Sequence, residues 1–151
     1  MKLVQAVVFM LLAFLPALSG VFVQTGDWYV ALQKPPLNPP GWLFGPVWTL
    51  LYALIGLAGF LAWRAIPPMC RVVPFAVFGL QLVLNGLWTF LFFGLHRPAW
   101  ALLDLMGLWA LILINIGLFH RERPVAGYLL VPYFLWVSFA GYLNAALWWL
   151  N

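Results

Sequence analysis

Five long apolar runs, at 3–23, 43–63, 72–95, 99–119 and 125–150, leave this chain few ways to fold. Each holds about 20 residues or more, enough at about 1.5 Å per residue to cross roughly 30 Å of hydrocarbon. Backbone N–H and C=O groups find no water in hydrocarbon, so runs of this length must pair them internally, as helices. Barrel strands would be shorter and would alternate polar with apolar residues. The expected fold is an all-α integral membrane protein: one domain over 1–151, a five-transmembrane-helix bundle in a lipid bilayer. Composition agrees. Only 7% of residues are charged and the mean hydropathy is +1.03, whereas soluble domains carry about 25% charged residues.

The first run follows Lys2, as a signal peptide would, but no A-x-A-like cleavage site comes after it. Pro16 and Gly20 inside it are tolerated in membrane helices. It is read as a retained span. The net charge of +4 does not point to nucleic acid, because the basic residues are scattered over span ends and form no stripe. They set topology instead. With five spans, Lys2, Arg64, Arg71, Arg121 and Arg123 fall on one side, and Lys34 and Arg97 on the other. The positive-inside rule then places the amino terminus in the cytoplasm, and the first loop and carboxyl terminus outside. Cys70 is the one cysteine, so no intramolecular disulfide is expected.

The connection between the first two runs, Gln24–Trp42 (QTGDWYVALQKPPLNPPGW), is long for a loop between packed helices. Loops of this length are often functional, as lids or binding loops. Asp27 is a plausible N-cap for a short helix over 28–33, with Lys34 near its C-terminus and Pro35 ending it. Pro35–Pro40 favours stiff, extended polyproline geometry. Trp28, Tyr29, Lys34, Pro39, Pro40 and Trp42 are the expected lid residues. The other connections are short, which makes sequential helices antiparallel neighbours.

Polar groups inside the runs point inward rather than at lipid. Gln81, Asn85, Trp88, Thr89 and Phe92 share one helical face in the third run. Two readings stay open for them: interhelical hydrogen bonds, or the lining of a pocket. Asp104 lies about one and a half turns inside the fourth run, where a carboxylate is costly. Pairing with Arg97 or Lys34 is the expected solution. In the fifth run Pro132, Trp136, Ala140 and Asn144 form one stripe, and Trp136 beside a small alanine suggests a concave patch. Trp48 and Tyr52 are i, i+4 neighbours in the second run. Of the 10 tryptophans, Trp63, Trp148 and Trp149 suit interfacial belts. Trp48, Trp88, Trp100 and Trp136 are the candidates to line a cavity.

Several chemistries find no residues. His96 and His120 lie at span ends on opposite sides of the expected topology, so they cannot share an ion. No histidine lies within a run to ligate haem, and no nucleophile–base pair or phosphate loop is present. What remains is a flat, aromatic, mostly apolar cavity under a stiff loop, suited to a planar hydrophobic ligand with no required cofactor.

The same residues carry a resemblance. W-Y-x-x-L-x-K-P-x-x-N-P-P-x-W-x-x-x-P-V-W-T-x-L-Y, Trp28 to Tyr52, resembles the signature of the translocator protein family, also known as TspO/MBR, tryptophan-rich sensory protein or peripheral benzodiazepine receptor. Gln81–Gly94, Trp100–Asp104 and Pro132–Asn144 resemble its third, fourth and fifth helices. The resemblance implies a homodimer of five-helix bundles that binds tetrapyrroles such as protoporphyrin IX beneath the first loop, acting as a receptor or sensor. Carried onto this chain, the pocket would comprise Trp48, Asn85, Trp88, Trp100, Trp136, Ala140 and Leu143, joined by Tyr52 from the helical spacing. It also implies two alternatives: an enzyme degrading porphyrin photochemically through Trp48 and Trp136, or a transporter of tetrapyrroles or small hydrophobes. The family's proposed cholesterol motif needs a basic residue beyond its tyrosine. None follows Tyr142, so cholesterol is not the expected ligand.

Overall fold

In the computed structural model, residues 1–23 and 26–151 are described, Val21 and Phe22 by backbone alone. The first two residues of the long loop, Gln24 and Thr25, lie outside the described residues. Every regular element among the described residues is helical. The helices are α1 (Lys2–Phe14), α2 (Ala17–Phe22), α3 (Asp27–Ala31), α4 (Gly41–Ala65), α5 (Val72–Thr89), α6 (Pro98–Glu122), α7 (Pro124–Leu129) and α8 (Val131–Leu150).

Four stretches are long and apolar enough to cross a membrane: Gly41–Ala65, Val72–Gly94, Pro98–Glu122 and Pro124–Leu150. They correspond to the second to fifth runs. The first run differs from its expectation. It is broken at Leu15–Pro16 into α1, of 13 residues, and α2, of 6. Proline has no N–H to donate and its ring crowds the preceding turn, so a helix breaks or bends there. The fifth run is interrupted likewise at Leu130, with Pro132 in the first turn of α8.

Two departures reshape the region around the loop. After Thr89, α5 continues as a π-turn, Phe90–Gly94, closed by Leu95 N–H donating to the Phe90 carbonyl at 2.9 Å. The wider turn takes in an extra residue. His96 then adopts left-handed backbone geometry at φ 53°, uncommon for a residue with a Cβ, and reverses the chain into α6. In the first loop, α3 ends at Ala31, two residues earlier than expected, and Gly26 rather than Asp27 is its N-cap. The prolines are not extended throughout. Asn38 N–H donates to the Pro35 carbonyl at 3.0 Å, closing a turn with Pro36 at its second position, where a fixed φ is favourable.

The helices close into a ring. α1 packs on α4, α4 on α7, α7 and α8 on α6, α6 on α5, and α5 on α2. Glycines allow the α1–α4 approach: a Cβ at Gly56 would come within 2.7 Å of Met10 Sδ, and one at Gly59 within 2.8 Å of the Phe9 ring. Small residues of this kind replace a hydrophobic driving force that lipid does not supply. Buried amides tie the other helices together. Gln81 Nε2 donates to Asn115 Oδ1 at 3.0 Å, and Asn115 Nδ2 to the Pro74 carbonyl at 3.1 Å, joining α5 to α6. The third run's polar ridge therefore faces inward, as its spacing requires.

Candidate functional site

At the loop end of the ring the helices splay around a cavity of about 750 Å³. Two aromatic stacks form its walls. On α4, Trp48 stacks on Tyr52 with centroids 5.4 Å apart and planes 27° from parallel. On α5 and its π-turn, Trp88 stacks on Phe92 at 5.5 Å and 24°. All four rings line the cavity, as do Thr89 and Phe93. Phe92 and Phe93 of the π-turn both line the cavity. From α8, Ala140, Leu143 and Asn144 complete that side.

Beneath the rings lies a hydrogen-bonded floor. Tyr52 Oη donates to Asn85 Oδ1 at 2.9 Å, and Asn85 Nδ2 donates to Tyr133 Oη at 2.8 Å. One amide thus links α4, α5 and α8. A second amide does the same near the rim: Asn144 Oδ1 accepts from Trp88 Nε1 at 3.0 Å, and its Nδ2 donates to the Pro98 carbonyl at 2.8 Å. Both tryptophan and asparagine are thereby fixed in orientation. Buried polar groups held on both ends contribute rigidity as well as stability.

The loop lies over this cavity. Tyr29, Val30, Lys34 and Asn38 contribute to its lining. The Lys34 ammonium donates to the carbonyls of Tyr29, Val30 and Leu32 at 2.9, 3.0 and 3.2 Å and sits 5.0 Å from the Tyr29 ring centre. It caps the end of α3, where free carbonyls and the helix dipole favour a cation. Tyr29 Oη donates to Asn38 Oδ1 at 3.3 Å. Burial holds this phenol above its ordinary pKa, the Asn38 bond acting in the opposite sense, so it stays a neutral donor at pH 7. Outside the cavity, Trp28 stacks on His96 at 4.3 Å and 15°. Asn151 grips the backbone of Gln33 from both sides, accepting from its N–H at 2.9 Å and donating to its carbonyl at 3.1 Å. The loop is therefore fastened to the ends of the bundle at two points.

The structure brings Trp48, Tyr52, Trp88, Ala140 and Leu143 of the expected pocket set together around the cavity, and Tyr29 and Lys34 of the expected lid. It places the others elsewhere. Asn85 is in the floor, bonded to Tyr52. Trp136 lies outside the wall: its ring packs edge-on against Phe44, 6.0 Å away, and it is Phe44 that meets the cavity. Trp100 is 63% exposed, one residue off the inward line of α6 marked by Ala101, Leu105 and Leu108. Its position at a span end suits an interfacial belt. Trp42 is 73% exposed. Pro40 is the N-cap of α4, and the Pro39 carbonyl accepts from Asn38 Nδ2 at 3.1 Å, so these prolines shape the loop from outside the cavity.

The expected pairing of Asp104 is also not found. Lys34 is engaged with carbonyls, and Asp104 Oδ2 is buried without a hydrogen-bond partner among the described residues. Sequence reasoning missed the wall contributed by the first run, Phe14, Pro16, Ala17, Ser19 and Gly20, together with Phe44 and Phe93. Phe93 did carry a signal, since it follows Thr89 at i, i+4 on the ridge of the third run. Pro16 was a readable signal of a break, though not of its direction.

The sequence profile of the TspO/MBR family matches residues 6–150. The chain belongs to the TspO/MBR family. It is 37% identical over 150 residues to the translocator protein of Bos taurus, covering 96% of this chain and 89% of that one. It is 46% identical over 131 residues to the tryptophan-rich protein TspO of Archaeoglobus fulgidus, covering 85% and 82%. With the tryptophan-rich sensory protein of Cereibacter sphaeroides it shares 38% over 129 residues, covering 85% and 80%. Family membership and the four long apolar helices make it a multi-pass integral membrane protein.

Proposed function

We propose that this chain is a membrane receptor or sensor that holds a flat, largely apolar ligand of the porphyrin class, such as protoporphyrin IX, in the cavity under its first loop. The observation that carries this reading is the pair of aromatic stacks, Trp48–Tyr52 and Trp88–Phe92, lining one space of about 750 Å³. Small-molecule sites run to about 300–1,000 Å³ and are mostly apolar with a few placed polar groups. Here the polar groups include Ser19, Asn38, Thr89 and Asn144, with the Lys34 charge at the rim, its N–H groups held by loop carbonyls. Photochemical breakdown through Trp48 and Trp136 gains less support, because Phe44 takes the place of Trp136 on the wall. Titrating protoporphyrin IX into the protein in detergent, followed by tryptophan fluorescence, tests the reading. Saturable quenching in which Trp48→Phe and Trp88→Phe each lower the affinity is expected, and quenching indifferent to both rules it out.

In this reading α1 and α2 together supply a fifth crossing, since Lys2–Phe22 rises about 30 Å at 1.5 Å per residue. The loop is a lid, and its stiffness limits the entropy lost on closure. Replacing Pro35–Pro40 with glycine and serine is expected to speed protoporphyrin release with helix content unchanged. Unaltered release rates, measured by stopped flow, would show that the loop does not gate the cavity.

The basic-residue asymmetry places the loop and the carboxyl terminus on the non-cytoplasmic side. A reporter fused after Asn151 is expected to be active there, and activity in the cytoplasm would reverse the topology. The same reading has the chain as a homodimer, which cross-linking in native membranes checks.

A further inference from the structure

We infer that the cavity opens sideways into the bilayer, between α2 and the first turns of α4, and that its ligand enters from the hydrocarbon phase. The inference rests on the cavity being the ligand site. Its first support is the path of the first run. Below Pro16, α1 lies against α4, with the Met10 backbone close enough that a Cβ on Gly56 would meet it at 3.1 Å. Above Pro16, α2 leaves α4 and packs on α5 instead, where Pro16 is 3.6 Å and Val23 3.4 Å from a Cβ built on Gly86 and on Gly94. A proline break that redirects the chain from one neighbour to the other leaves a slot between α2 and α4.

The second support is which residues edge that slot. On α4, Gly41, Gly45 and Thr49 recur every four residues, so they form one stripe along the helix. On α2, Ala17 and Gly20 are three apart and share a face. All five line the cavity and are exposed. Among the described residues, Cβ atoms built on Gly20, Gly41 and Gly45 meet nothing within 4 Å. Thr49 Oγ1 donates to the Gly45 carbonyl of its own helix at 2.9 Å, so its hydroxyl is satisfied without water, as a lipid-facing position demands. Thr49 stands about 12 Å along α4 from Gly41 at 1.5 Å per residue. The opening therefore reaches well below the loop, to a depth where a ligand dissolved in the membrane travels.

The test places a reporter thiol inside the cavity. In full-length protein carrying Cys70→Ser, Ala140→Cys is reconstituted in phosphatidylcholine vesicles. It is then labelled either with N-pyrenylmaleimide, which partitions into the bilayer, or with a sulfonated maleimide confined to water. The pyrenyl reagent is expected to react faster. Gly20→Trp with Gly45→Trp is expected to slow it at least about tenfold, a barrier rise of about 1.4 kcal/mol. Gly79→Trp with Gly117→Trp, at open glycines away from the slot, is expected to leave it unchanged. Thr49→Trp alone is a second plug for the case in which the double variant does not fold. Labelling that ignores the plugs, or that is faster from water, overturns the portal. Because the thiol is read without porphyrin, failure of the portal is separate from failure of the ligand reading.

Discussion

Ala140→Leu is expected to weaken protoporphyrin IX binding by about 5- to 150-fold, the equivalent of about 1–3 kcal/mol of overpacking in the bound state. Ala140 lies on the cavity side of α8 beside Leu143 and Asn144, and its single methyl leaves a hollow against which a flat ring can lie. Three further carbons fill that hollow. Ala140 stands one turn from both Val137 and Asn144 and packs against the core, so thermal unfolding of the variant is measured beside its binding to separate a lost hollow from a lost fold. Trp136→Phe should do much less, since Trp136 reaches the cavity only through Phe44. Fluorescence titration of both variants checks the pair. Comparable losses in the two, or none in Ala140→Leu, would mean that the ligand sits elsewhere.

The second large effect is on stability. Asn85→Leu keeps the branched shape and heavy-atom count of the side chain but removes both bonds of the floor, leaving the hydroxyls of Tyr52 and Tyr133 buried without Asn85. A buried hydroxyl left unpaired costs about 1–3 kcal/mol, and interhelical bonds measured in membranes average about 0.6 kcal/mol, so a total on the order of 1–5 kcal/mol is expected. Thermal unfolding in detergent should shift down accordingly. Adding Tyr52→Phe and Tyr133→Phe to Asn85→Leu should recover part of the loss, because apolar replacement of every partner removes the unpaired groups. An Asn85→Leu protein as stable as the original would show that the floor does not hold α4, α5 and α8 together.

Much of the inward face was legible before the structure. Gln81 and Asn85, on the ridge of the third run, and Asn144, on the stripe of the fifth, all proved buried and bonded to a neighbouring helix. An amide cannot face hydrocarbon unpaired, so a polar residue inside an apolar run declares its direction. Lys34 was legible for a similar reason: a cation beside the last carbonyls of a short helix has an obvious partner. The tryptophans were not legible in the same way. An indole is at home in an interfacial belt, in a packed core and on a cavity wall. Spacing alone could not send Trp48 and Trp88 to the cavity, Trp136 behind Phe44 and Trp100 to the surface.

What the sequence determined by itself was the membrane, the helices and the interruption between the first two runs. Each follows from the cost of leaving backbone or charge unpaired in hydrocarbon. The tertiary structure decided where Pro16 sends α2, where the π-turn ends α5, and which ring ends on which surface. In water, burial of apolar surface would mark the inner face of a helix. In a bilayer the lipid side is as apolar as the core, so only packing between helices separates the two.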